Sequence, residues 1–129
     1  MNDLEKFLNL QDVNEIEEEV FVSERLGKFK VKAMTSDEYA DYQKRCKGKM
    51  VKGQVDFDAS KFNLLLVAGQ TIYPDFSNAE FLKKAGCTTA TEFIKRKLLP
   101  GEIAELGEQI CVISGFDSGI NEDVEEAKN

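Results

Sequence analysis

Residues 17–34 alternate apolar and charged side chains with a period of two, and from residue 35 onward the chain is punctuated by helix caps instead. This change of period limits the fold more than any other feature. A strand shows alternate residues to one face, whereas a helix shows every third or fourth. Val20 and Val22 alternate with Glu19, Phe21 and Ser23. After the turn Leu26-Gly27-Lys28, Phe29, Val31 and Ala33 take one face, and Lys28, Lys30 and Lys32 take the other. Two such runs joined by a glycine turn make an antiparallel hairpin with one buried and one solvated face. Acids of the first run stand across from lysines of the second, and a row of lysines protects an edge strand from pairing with another chain.

Thr35-Ser36-Asp37-Glu38 is a capping box: the threonine hydroxyl accepts from the Glu38 amide while the Glu38 carboxylate reaches back. It opens a helix to Cys46, whose basic end (Lys44, Arg45, Lys47) suits the negative pole of a helix, and Gly48 breaks it. Val51, Val55 and Phe57 alternate around Gly53, giving a weak strand or hairpin. Asp58 caps a helix over residues 59–68 that is apolar nearly all round, the mark of a buried central helix, with Gly69 as its C′ residue. Residues 72–76 read as a short extended link, because Tyr73 precedes Pro74. Ser77-Asn78-Ala79-Glu80 and Thr89-Ala90-Thr91-Glu92 are two further capping boxes. They open helices over residues 78–85, closed by Gly86, and 91–98. Pro100 starts a last helix that runs to Ser114 and stops at Gly115. The expected class is α+β: an N-terminal antiparallel hairpin or small sheet packed with a mainly helical C-terminal half.

With 129 residues, 42% of them apolar, the chain holds enough core for a single α+β domain, placed at residues 1–116. Residues 2–10 are expected to form a short helix with Leu4, Phe7 and Leu8 on one face. A helix this short is marginal alone, so it must dock, either on its own domain or on a partner or neighbouring subunit. Residues 117–129 hold five acids against Lys128 and are expected to be a disordered acidic tail.

The chain has no histidine. That removes the usual general base near neutral pH, the commonest nitrogen ligand for metals and every histidine-activated nucleophile. Three distant cysteines without CxxC spacing give neither a disulfide framework nor a zinc site and fit a reducing compartment. Cys111 reads as core. Cys87, between Gly86 and a threonine-rich cap, lies where a thiol pKa can fall, but no activating partner is in sight. No glycine-rich phosphate loop is present, and residues 117–123 fail the ligand spacing of a calcium loop. Paired carboxylates such as Asp56 and Asp58, or Glu102 and Glu105, are expected by chance among 24 acids, and Asp58 and Glu102 suit helix amino ends. No catalytic residue, cofactor or metal is therefore assigned. The net charge of −7 argues against nucleic acid and for a basic or apolar protein partner. The acidic start is not a signal peptide and no apolar run spans a bilayer, so the expected location is cytoplasmic, with no membrane partner.

The order of elements then becomes informative. A hairpin leads into Thr35-Ser36-Asp37-Glu38-Tyr39, then residues 57–62 ahead of an apolar helix, then Tyr73-Pro74-Asp75-Phe76. A short helix ends at Ala85-Gly86, a capped helix ends in Leu98-Leu99-Pro100-Gly101-Glu102, and residues 110–116 close with Ser114-Gly115-Phe116. Over residues 15–116 this resembles the XkdN-like phage tail assembly chaperones. The N-terminal helix and the acidic tail lie outside the resemblance.

The resemblance implies a non-catalytic protein of the host cell cytoplasm that binds the phage tape measure protein and keeps it soluble during tail assembly. Tail tube protein is a second partner it implies, and self-association stays open. The expected partner-binding surface is the C-terminal helical half, residues 78–116, with Phe93, Leu98 and Leu99 as exposed anchors. Two other readings compete: a structural head–tail or tail accessory protein, and a small bacterial regulatory or enzyme domain.

Overall fold

β1 (Glu17–Ser23) and β2 (Gly27–Lys32) pair antiparallel, with Glu17 opposite Lys32 and Glu19 opposite Lys30. The computed structural model that shows this describes residues 3–117. The expected acid–lysine facing is present, and Lys30 Nζ also reaches diagonally to Glu17 Oε1 at 3.2 Å. The opposite face carries Val20, Phe29 and Val31 into the core. Gly27, at φ 76°, makes the turn in a conformation that disfavours a Cβ.

Ile72 and Tyr73, expected within the link of residues 72–76, instead form a third strand together with Thr71. β5 (Thr71–Tyr73) pairs antiparallel with β2 and gives the sheet the order β1-β2-β5. β2 is therefore the central strand and not the edge, so its lysines solvate an outer face and do not guard an open edge. Three residues are too few to show a period, which is why the pattern did not reveal this strand.

Helices cover the inner face of the sheet. α6 (Pro100–Ile113) lies against β1 and β2. α3 (Ala59–Gln70) packs along α6 and is flanked by α2 (Ser36–Cys46) and α5 (Ala90–Lys97). Leu66 and Val67 of α3, Ile94 of α5, and Leu106 and Ile110 of α6 are fully buried with Val31 of the sheet. α4 (Ala79–Ala85) brings Phe81 onto Phe93 at 4.7 Å between ring centroids, and Phe76 joins both. β3 (Lys47–Val51) and β4 (Gln54–Phe57) form a separate two-stranded ribbon between α2 and α3.

Local chemistry sets the boundaries. The Thr35 box closes in both directions, with Glu38 N to Thr35 Oγ1 at 3.1 Å and Thr35 N to Glu38 Oε1 at 2.9 Å. α4 is capped by Asn78 and not by Ser77: Asn78 Oδ1 accepts from Phe81 N at 3.0 Å, while the Ser77 amide turns to Asp75. Thr89 caps α5, but the Glu92 carboxylate takes the Thr88 amide one residue earlier than the box pattern expects. Gly69 is not a C′ residue. It lies inside α3, and a Cβ there would sit 2.1 Å from the Tyr42 hydroxyl. The glycine is there to let α2 approach α3, not to reverse the chain.

α1 (Asp3–Leu8) forms but does not dock on its own domain. Leu4, Phe7 and Leu8 are 76%, 62% and 83% exposed. At the other end the chain stays packed to Phe116, whose ring meets Tyr39 at 4.9 Å. The expected acidic tail and the rejected calcium loop lie, beyond Asp117, outside the described residues.

Candidate interaction surface

Asp58 Oδ1 accepts from Lys61 N at 2.9 Å and fixes the first turn of α3. At the opposite wall, the α5–α6 joint is held by Glu102, in the first turn of α6. Its carboxylate accepts from Arg25 Nη2 at 2.5 Å, Leu99 N at 2.7 Å and Ser23 Oγ at 2.7 Å. Arg25 Nη2 also donates to the Lys97 carbonyl at 2.9 Å, satisfying the end of α5. The β1–β2 turn is thus tied to the joint between two helices. The Arg25 guanidinium first, then the Leu99 amide, hold the Glu102 carboxyl down at about 2, against the opposing push of burial.

Between these fixed points, α3, α5 and the start of α6 enclose an open groove of about 750 Å³. Leu64, Leu65, Leu98 and Ile103 line it, and Arg45, Lys61 and Lys95 contribute three cations against one acid, Asp58, already engaged as a cap. Asn63 also lines it. Asn63 is 9% exposed. Its carbonyl oxygen stands where a Cβ on Gly107 would come within 2.4 Å. An apolar floor and a cationic rim suit an amphipathic segment with acids along its edge.

The three expected anchors are not one patch. Phe93 is half-buried in the aromatic cluster with Phe76, at 5.6 Å, and Phe81. Leu98 is 6% exposed: it is a buried wall of the groove and not an exposed anchor. The physical reason is its place as the C-cap of α5, where its amide bonds the Ile94 carbonyl at 2.9 Å and its side chain turns into the core. Leu99, at 58%, projects into solvent. Lys61 and Lys95 were missed because they sit on helices distant in sequence, and no local pattern marks them as neighbours. The local sequence marks Arg45 only as a helix-end cation.

Cys87 is buried with Arg96 Nη1 3.4 Å from its sulfur. Burial pushes the Cys111 thiol up to about 11, as befits a core residue. Among the described residues no group of His, Cys, Asp or Glu is placed to hold a metal ion, and no helix is long and apolar enough to cross a membrane.

The fold is similar to that of the protein yqbn, known from a crystal structure, with a TM-score of 0.66 and 26% identity over 91% of this chain and 99% of that one. No curated protein matches the chain. A family model described as Phage XkdN-like tail assembly chaperone protein matches residues 4–128. The match is wider than the 15–116 resemblance and takes in both α1 and residues beyond the last helix. The chain therefore belongs to the XkdN-like phage tail assembly chaperones.

Proposed function

We propose that this protein binds the tape measure protein of its phage, seats an amphipathic segment of it in the α3–α5–α6 groove and keeps it soluble while the tail assembles. The observation that carries this reading is the groove itself: a floor of Leu64, Leu65, Leu98 and Ile103 beside Arg45, Lys61 and Lys95. A tape measure is a long amphipathic helix that aggregates when its apolar face meets water, and such helices dock into apolar grooves. Family membership supports a tail protein as the partner. The role is non-catalytic and belongs in the host cytoplasm. Leu99 stands beside the groove as an exposed contact, Leu98 shapes the floor, and Phe93 supports α5 from behind.

The test is co-expression with the tape measure protein encoded nearby. Soluble, co-purifying tape measure is the expected result. Leu64→Lys and Leu99→Asp should each cut the recovered complex by about tenfold, the effect of losing one good apolar contact. Unchanged recovery with both variants removes the groove from the reading. Insoluble tape measure, with this protein found in assembled tails, replaces chaperoning by a structural role.

A further inference from the structure

The chain displays a second feature of the same chemistry as the expected occupant of its groove. α1 carries an uncovered apolar face of Leu4, Phe7 and Leu8, and none of its residues is buried. It carries two acids in its first turn, Asp3 and Glu5, against one base, Lys6, in its last. The groove offers the complement, an apolar floor beside Arg45, Lys61 and Lys95. We propose that α1 of one copy occupies the α3–α5–α6 groove of a second copy, with its acids against that rim.

Reach decides for a second copy over the same one. The chain is pinned just after α1 at the far end of α6. Asn14 Nδ2 donates to the Ala33 carbonyl at 3.2 Å, and Ala33 N donates to the Ile16 carbonyl at 2.9 Å. The next residue, Met34, donates to Ser114 Oγ at 2.9 Å, at the C-terminal end of α6. The groove lies at the opposite, N-terminal end, at Ile103 and Ala104. The length of α6 from Ile103 to Ser114 is roughly 16 Å. The turn closed by Leu10 N on the Phe7 carbonyl and the turn closed by Glu15 N on the Asp12 carbonyl leave only residues 10–12 extended between α1 and that pin, about 10 Å of chain. Reciprocal exchange between two copies satisfies both helices and both grooves and closes at a dimer. The inference uses only surfaces of this chain, and α1 and a tape measure segment are then alternative occupants of the same groove.

The full-length protein alone is the sample, and its mass is followed by sedimentation equilibrium up to submillimolar concentration. A dimer is expected. Phe7→Asp should weaken it by about tenfold or more. So should Asp3→Lys with Glu5→Lys, and Lys61→Glu with Lys95→Glu; all these positions are exposed, and unchanged melting curves confirm the fold. Mixing the reversed-helix variant with the reversed-groove variant should restore a dimer that neither forms alone, since each helix then meets a groove of opposite charge. A monomeric wild type overturns the proposal, as does a dimer indifferent to Phe7→Asp, or two weakened variants whose mixture stays monomeric.

Discussion

The Tyr42 hydroxyl donates to Gln70 Oε1 at 2.8 Å where α2 meets α3, and Gln70 Nε2 donates onward to the Ala33 carbonyl at 3.1 Å. Gln70 is fully buried at the end of α3, so this relay satisfies an amide that water cannot reach, and it links α2, α3 and the end of the hairpin in one network. Burial, with the Glu38 charge second, raises the Tyr42 hydroxyl to about 12.

Tyr42→Phe should destabilise the fold by about 1–3 kcal/mol, because it leaves the Gln70 carbonyl oxygen buried without a donor. Denaturant titration at neutral pH measures this. The sign in alkali follows from the raised pKa. The unfolded tyrosine loses its proton near 10.0 and the folded one near 12, so wild-type stability falls as pH rises through that window. The phenylalanine variant should lack this component of the alkaline decline.

Gly69→Ala should destabilise by about 1–3 kcal/mol in spite of the roughly 1 kcal/mol that alanine gains over glycine in a helix. The new methyl would lie 2.1 Å from the Tyr42 hydroxyl and 3.1 Å from Cζ. Removing the hydroxyl relieves the shorter contact. A double-mutant cycle should therefore find Gly69→Ala less harmful in the Tyr42→Phe background, by more than experimental error.

Glu102 ties stability to pH in acid. Its carboxyl titrates near 4.5 when unfolded and near 2 when held by Arg25, Leu99 N and Ser23. A lowered pKa gives stability that is complete above 4.5 and lost as pH falls toward 2. Glu102→Gln should be less stable at neutral pH and show a flatter acid decline in thermal melts taken across that range. An unchanged slope would mean that other carboxylates carry the acid transition.

Leu98 and Leu99, adjacent in the chain, should respond very unequally to truncation. Leu98→Ala removes a side chain that is 6% exposed and should cost about 2–5 kcal/mol. Leu99→Ala, at 58% exposure, should change stability by less than about 0.5 kcal/mol. Thermal denaturation separates the two, and only Leu99 can then report on partner binding without a folding effect.

Much of the fold is written locally. The hairpin follows from the alternation of Val20, Val22, Phe29 and Val31 with charged neighbours, and the caps at Thr35, Asp58 and Thr89 rest on side chains that bond amides only three residues away. Pro100 and Gly115 bound the last helix through their own backbone restrictions. Gly69 and Ser77 show the limit of such reasoning. A glycine near a helix end signals a stop only if nothing packs on it, and here Tyr42 does. Ser77 lost its role as cap to the neighbouring Asn78, whose side chain reaches the Phe81 amide instead.

By itself the sequence determined what most segments become: an α+β chain with an apolar central helix and an N-terminal helix with one apolar face, but not the short strand Thr71–Tyr73. Periodicity and capping act over a few residues, so they can be read along the chain. Which segments become neighbours was decided only by the tertiary structure. β5 had to find β2, Arg25 had to reach Glu102, and Arg45, Lys61 and Lys95 had to converge on one groove. Those pairings depend on how the helices pack around Leu66, Leu106 and Ile110, and packing is a property of the assembled core that no local pattern encodes.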